Sequence, residues 1–411
     1  ILPKYQNVPL KAFLLRLFTL LSFSIAKILL KRGIILASYG DAFGHQAWNL
    51  EHHSRKYNSL FGKFPKVIAF QRSVHVPNKA LLAHHRGHGI WVLSPNNMIS
   101  KIFFYSRTKW SNRRQSNITE MDQASKLVFC HFSMKDLHVD TDIDEHVAFP
   151  LSSRDEILAS QYLESEGLQQ YQYYCFHDRT HKYKLLQSEI VGSKYLISEH
   201  FEQARNTSLE LLYPCAKLML DKGIKSVRLG ADPKQPVTVD FINDHASNRT
   251  SQNGFPDLAL MNYCKFFVGP NSGIWLFARS FNRPTCLINA FPSPWINVPL
   301  SRDSVLVPKK LWHTAEKRFL TIKEMAEMEI RFYWKRFYED TFFKSLSIEV
   351  IENSAEEICG AVSELNDRID GNWTGPNYHV ADYLTKENIA HGSKAYISAF
   401  FVEENKDVFT N

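Results

Sequence analysis

Short apolar runs and polar, turn-rich segments alternate along most of this chain, and the period of each run predicts its element. Gly33–Gly40, Lys66–Phe70, Gly89–Leu93 and Leu127–Phe132 read as strands in the first third. Tyr171–His177, Lys225–Gly230, Phe266–Val268 and Pro284–Asn289 read as strands further on. Helical patterns lie between them. Asp41–Glu51 starts one, and Ser153–Gly167 is another, with Ser153 as cap and Glu156 three residues on. Asn206–Lys222 is amphipathic and closed by Gly223, while Asp257–Cys264 is short and apolar. Strands alternating with helices predict α/β architecture around parallel sheets. The last hundred residues carry mostly helical patterns, including the aromatic-basic run Ile330–Tyr338 and the segment Asn353–Ile358.

One stretch organises the rest. Phe266, Phe267 and Val268 suit a buried parallel strand; Gly269, Pro270, Asn271, Ser272 and Gly273 break it; Ile274 to Phe277 open an apolar helix. Such a turn aims free backbone N–H groups and the positive end of a helix dipole at one point, a ready site for phosphate. An ordinary βα turn built from common turn residues is the alternative.

Residues 8–32 hold an apolar segment in which Lys11, Arg16, Thr19, Ser22 and Lys27 share one side of a helical wheel. Arg16 and Lys27 leave an uncharged run well short of the roughly 20 residues that span a bilayer. A basic amphipathic helix lying in a membrane interface fits better, with a helix packed on the following domain or a decayed signal-like segment as the alternatives. The chain opens on Ile1, which reads as an N-terminus short of its start.

At 411 residues two domains are expected. The net charge of +7 favours anionic partners. A nucleic-acid role is not expected, because no basic stripe carries regularly spaced stacking aromatics. The six cysteines are scattered without a CxxC pair, predicting reduced, buried thiols and a cytosolic chain. His84, His85, Arg86, Gly87 and His88 lack a second ligand group at metal-binding spacing and read as a solvated turn, so no metal site is expected.

Several pieces in order carry a resemblance: Gly44-His45; His177, Arg179 and Tyr183; Arg205-Asn206; Val227–Gly230; Asp257 ahead of Cys264–Gly269 and Ser272-Gly273; Phe281–Pro284 with Asn289; Pro308–Lys310; and Asn353–Ile358. Over roughly residues 34–375 the chain resembles the bacterial surface-polysaccharide glycosyltransferases of O-antigen regions, which are similar to two-domain GT-B enzymes. The resemblance implies two Rossmann-like domains facing a cleft. Residues 33–165 would form the acceptor domain and 166–345 the nucleotide-sugar donor domain. A basic amphipathic helix (1–32) would precede them, and a helical C-terminal segment and tail (346–411) would follow. It also implies cytoplasmic work at the inner face of the membrane, on lipopolysaccharide, capsule or a related glycan, with a glycan or lipid-linked glycan as acceptor. One departure stands out: the family follows its strand-end Arg with an acid, whereas this chain has Thr180.

Sugar transfer requires the departing phosphate's charge to be stabilised and the acceptor hydroxyl to be oriented or deprotonated. Asn271, Ser272 and Gly273 at a helix start, with Arg179 and Arg228 at strand ends, are the expected phosphate ligands, without metal or cofactor. Lys309 is a further phosphate candidate, against a solvated lysine. Asp257 is a candidate for the donor's ribose or sugar, against a helix N-cap. His45 is the candidate general base, against a histidine that only braces its turn, and His177 is carried over as catalytic. A sugar-nucleotide epimerase and a non-catalytic glycan-assembly protein are the rival functions.

Overall fold

The computed structural model describes residues 31–40, 42–71, 73–104, 146–180, 204–231, 235–248, 254–291, 303–332, 341–383 and 394–409, with Ile25, Ile28 and Leu29 ahead of them. The expected strand at Leu127–Phe132, Tyr183, and most of residues 8–32 and 330–338 lie outside the described residues.

The first sheet is β1 (Ile34–Tyr39), β2 (Lys66–Gln71) and β3 (Trp91–Leu93), all parallel and in that spatial order. Helix α1 (Phe43–Phe61) connects β1 to β2, and α2 (Lys79–Gly87) connects β2 to β3. Gly62 ends α1 in the left-handed conformation, and the Asn78 side chain caps α2 by accepting from Leu81 N. The histidine group at the end of α2 is not a solvated turn. His84 and His85 are buried, His84 Nε2 lies 3.0 Å from the Phe149 carbonyl, and His85 Nδ1 lies 3.2 Å from Tyr39 OH. Burial pulls His84 down to about 4, so both rings are neutral core groups. Among the described residues no cluster of three metal-ligating side chains occurs.

The rest is built on an eight-stranded sheet. In chain order come α3 (Ser153–Ser165), β4 (Tyr173–Phe176), α4 (Tyr213–Asp221), β5 (Lys225–Arg228), β6 (Ile242–Asn243), α5 (Phe255–Tyr263), β7 (Phe267–Gly269), α6 (Gly273–Ser280), β8 (Thr285–Ala290) and β9 (Val305–Pro308). Then follow β10 (Lys310–His313), β11 (Arg318–Phe319), α7 (Ile322–Phe332), α8 (Phe342–Ser345), β12 (Ile348–Ile351), α9 (Ala355–Ile369), β13 (Tyr378–His379), β14 (Tyr396–Ile397), α10 (Ala399–Glu404) and α11 (Lys406–Phe409). The spatial order is β13-β14-β9-β8-β7-β4-β5-β6, parallel throughout except for the β13–β14 pair. Every residue of β4, β7, β8 and β9 is buried, as a sheet covered on both faces requires.

Three local differences from the sequence reading have simple causes. The helix expected from Asn206 starts only at Tyr213, because Pro214 has no N–H to donate and is tolerated only in a first turn. Ser152 rather than Ser153 caps α3, accepting from Asp155 N. Among the described residues of the C-terminal hundred, helices predominate as expected, but strands are present too. β14 extends the large sheet beside β9, and β10, β11 and β12 form a small antiparallel sheet.

The hydrophobic core of the large sheet takes in Ala47 and Trp48 from α1, Leu81 from α2, and Ala159 and Leu163 from α3. A smaller core beneath the first sheet takes Leu50 and Tyr57 from the same α1. Helix α1 is therefore shared between two cores. The described cysteines are free, with Cys175, Cys215, Cys264 and Cys286 buried. No helix among the described residues is long and apolar enough to cross a membrane.

Candidate functional site

Read from its far edge, the large sheet runs β6-β5-β4-β7-β8-β9, the order 3-2-1-4-5-6 in which the direction of winding reverses between the first and fourth strands. Connections leave β4 and β7 toward opposite faces, opening a crevice beyond their carboxyl ends where such sheets bind ligands. His177, Asp178 and Arg179 follow β4 directly, and the turn Pro270 to Gly273 follows β7.

Positive charge converges there from separate parts of the chain. Arg179 is 7 % exposed and Lys309, just past β9, is 5 % exposed. One residue ties them together: Arg179 Nη1 donates to Asn206 Oδ1 at 3.0 Å, and Lys309 Nζ donates to the Asn206 carbonyl at 2.9 Å. Arg205 reaches the turn itself, donating from Nη2 to the Asn271 carbonyl at 3.0 Å. Burial, with Arg179 nearby and Glu352 opposing, brings Lys309 down to about 8. Two cations confined side by side make a strong anion attractor.

Around them are buried polar atoms that no protein group satisfies. Asn271 is 4 % exposed and its Oδ1 accepts from Phe291 N at 3.1 Å, but Nδ2 has no partner. Ser272 occupies the N-cap of α6 yet its hydroxyl bonds to nothing, and Thr207 Oγ1 and Asn289 Nδ2 are in the same condition. Buried groups of this kind are normally paired. A cluster of unpaired ones beside two cations is a cradle for a multiply charged oxygen ligand.

The other expected residues divide. Arg228 is fully buried and committed: Nε and Nη2 donate to Asp178 at 2.6 and 2.7 Å, and Nη1 donates to the Gln235 carbonyl and to Asp244. Asp178, adjacent to both His177 and Arg179, is thus clamped from below. Asp257 lies in the first turn of α5, whose N-cap is Gly254, and both its carboxylate oxygens already accept, from Asn78 Nδ2 and from His245 Nε2. It joins the two sheets' helices. His177 Nδ1 lies 2.8 Å from the Leu229 carbonyl. A carbonyl only accepts, so Nδ1 carries the proton and Nε2 the lone pair. Burial lowers the ring's pKa, with Asp178 and the Leu229 bond opposing, so the neutral form prevails.

His45 stands in the first turn of α1, exposed, with Nδ1 3.4 Å from Asn49 Oδ1. Its neighbour Gly44 meets Gly273: a Cβ built on Gly273 would fall 2.8 Å from Gly44 N, and one on Gly44 2.7 Å from Gly273 Cα. The two glycines allow the starts of α1 and α6 to touch, which carries His45 to the rim of the crevice. From there the helices run side by side. Ser280 Oγ donates to the Ala47 carbonyl, and Arg55 donates to Glu51, Asn282 Oδ1 and the Ser280 carbonyl. Arg55 and Arg279 flank the Trp48 ring at 5.5 and 5.4 Å.

The sequence reading assigned no role to Asn206, Thr207 or Asp178. Arg205-Asn206 was visible in the ordered set of motifs, but its bonds to residues far along the chain were not.

No family model and no curated protein matches the chain. Solved structures do. A glycosyl transferase family 9 protein from Veillonella parvula is similar over 81 % of this chain and 97 % of its own, at 13 % identity and a TM-score of 0.44. ADP-heptose lps heptosyltransferase II of E. coli is similar over 66 % of this chain and 89 % of its own, at 14 % identity and a TM-score of 0.39. The E. coli heptosyltransferase WaaC with ADP covers 73 % of this chain and 97 % of its own, at 11 % identity and a TM-score of 0.31. Similarity at this level is distant, and the chemistry of the site rests on its own geometry.

Proposed function

We propose that the protein is a glycosyltransferase that moves a sugar from a nucleotide-sugar donor to a growing surface glycan, such as lipopolysaccharide or capsule, on a GT-B-like arrangement of its two sheets. The observation that carries this reading is the pairing of buried Arg179 and Lys309 with unpartnered Asn271 Nδ2 and Ser272 Oγ at the switch of the large sheet. A departing nucleoside diphosphate develops charge in the transition state, and preorganised cations and donors in a buried site stabilise it there. In this reading Arg179, Lys309, Arg205 and the Asn271–Gly273 turn take the phosphates, providing the positive charge that a metal would otherwise supply. Arg228 acts at one remove, holding Asp178 and thereby the strand end that bears His177 and Arg179. Asp257, with both oxygens engaged, serves the seam between the sheets. His45, at the rim on the opposite side, takes the proton of the acceptor hydroxyl, and His177 Nε2 accepts a hydrogen bond from the donor. The inner face of the cytoplasmic membrane, where nucleotide sugars meet lipid-linked acceptors, is the proposed site of work.

The test is calorimetry and thermal shift with ADP-, UDP-, GDP-, dTDP- and CMP-linked sugars, followed by transfer assays with those that bind. A ligand recognised by the folded state raises the melting temperature. Wild-type protein is expected to bind at least one of them and Asn271→Asp to bind it about tenfold to a hundredfold more weakly. Failure of every nucleotide to bind would favour a non-catalytic assembly protein. Binding with epimerised sugar as the product would favour the epimerase.

A further inference from the structure

Helix α1 has two ends with opposite characters. Gly44 stands at the crevice, and the far end, Leu60 and Phe61, lies about 25 Å away along the axis. At that far end the chain turns through Gly62, Lys63, Phe64 and Pro65 into β2, whose first residue donates from Lys66 N to the Gly33 carbonyl at 2.8 Å. Gly33 in turn follows the helical turn that holds Ile28 and Arg32, joined by a bond from Arg32 N to the Ile28 carbonyl. Two separate segments therefore meet at the amino ends of β1 and β2. Together they expose large apolar side chains: Ile25 and Ile28 at 54 % each, Phe61 at 47 %, Leu60 at 44 % and Phe64 at 42 %. Tyr57, packed on Phe61 with ring centroids 4.4 Å apart, supports the group from beneath.

Exposed cations stand in the same two segments as these side chains. Lys31, Arg32, Lys63 and Lys66 are all exposed, and none is in an ion pair with a described residue. Between residues 25 and 40 and between residues 54 and 66 there is no acidic residue. A surface of protruding Phe, Leu and Ile side chains inside a purely cationic rim is complementary to one environment above others. Apolar groups partition into the acyl boundary while lysine and arginine remain at the phosphate level, their stems spanning the two. A second protein of ordinary surface would leave four unpaired cations beside a desolvated apolar contact.

We propose that the face formed by Ile25, Ile28, Leu60, Phe61 and Phe64 with Lys31, Arg32, Lys63 and Lys66 docks on an anionic lipid bilayer. The loop Leu60–Lys66 is a contact distinct from the amphipathic segment of residues 8–32. Because α1 separates this face from the crevice, docking leaves the crevice uncovered.

The test is co-sedimentation of the full chain with phosphatidylcholine vesicles and with vesicles that also contain phosphatidylglycerol. Binding is expected to the anionic vesicles only and to weaken with salt. Two double variants, F61S/F64S and K63E/K66E, are each expected to lower the partition coefficient by roughly tenfold or more, with cooperative thermal unfolding retained in both and the melting temperature of F61S/F64S falling only slightly through the lost contact of Phe61 with Tyr57. Equal sedimentation of wild type and both variants would overturn the proposal and assign membrane contact to the preceding segment alone. A wild-type dimer that F61S/F64S dissociates, with vesicle binding unaffected, would also overturn it and make the face a contact between copies. No nucleotide sugar enters the measurement, so its failure leaves the glycosyltransferase reading untouched.

Discussion

Helix α6 has a flank packed on α1 and an amino end at the switch of the sheet, and the two differ in what their charged groups are bonded to. Along the flank, against α1, Arg55 donates to Glu51, Asn282 and Ser280, the Ser280 hydroxyl reaches Ala47, and the Trp48 ring lies between two guanidinium groups, although Trp48 Nε1 and Ser54 Oγ on α1 are themselves buried without a partner. At the amino end, Ser272 and Asn271 keep buried polar atoms without protein partners beside two cations. Both regions are buried and both hold arginine. Charge and burial alone therefore do not mark a site. The distinguishing mark is what the charge is bonded to. Arg55 and Arg228 each bond a buried carboxylate, Glu51 and Asp178, while Arg179 and Lys309 both bond Asn206, beside the unpartnered Asn271 Nδ2.

Four experiments press on this contrast. Arg55→Met leaves Glu51, whose carboxyl burial already pushes upward, without its cation. It is expected to lower the unfolding free energy by about 3–5 kcal/mol, measured by urea denaturation; a loss near zero would make the flank no more closed than the mouth. His45→Ala acts only on the chemistry in the proposed reaction, and turnover is expected to fall about a hundredfold with donor affinity retained. Wild-type turnover at saturating substrate would remove His45 from that role. Asn271→Asp keeps the oxygen that Phe291 N needs and replaces the unpartnered amide with negative charge. Nucleotide affinity is expected to drop between about tenfold and a hundredfold, with an unchanged melting temperature distinguishing a site from a support.

The smallest expected effect is on the pH dependence. Lys309 sits at about 8, below the ordinary 10.5, so between those values the unfolded chain binds more protons than the folded one. Unfolding free energy should therefore rise with pH across that window, while nucleotide affinity falls about tenfold as the ammonium is lost. Lys309→Met should flatten both profiles. Profiles identical to wild type would show that Lys309 does not titrate there.

Much of the frame was legible. β4, β7 and β8 were visible as apolar runs because a doubly covered parallel strand needs no polar alternation, and the turn from Gly269 to Gly273 announced itself by composition. Partners were not legible. Gly273 reads as part of a phosphate cradle, but nothing local says whether a phosphate or another backbone approaches it, and the observed neighbour is Gly44. A valine at position 273 would therefore wedge the helices apart and is a poor probe of ligand binding. Arg228 read as a phosphate ligand because its strand-end position is right; Asp178 and Asp244, which take its charge, lie 50 and 16 residues away. Periodicity places Asn206 in a helix, but it lies outside one, ahead of the turn Leu209–Leu212, and accepts from two cations at once.

The glycine contact between α1 and α6 has an electrostatic consequence. The two helices start together and run alongside each other, so their dipoles point the same way and their positive ends, each worth roughly half a unit charge, share one locus. Parallel dipoles at that distance repel, and an anion placed between their origins relieves the repulsion. Occupation of the crevice and closure of the seam are therefore linked quantities. Whatever free energy an anion contributes to holding the helices together, their being held together returns to the anion's affinity.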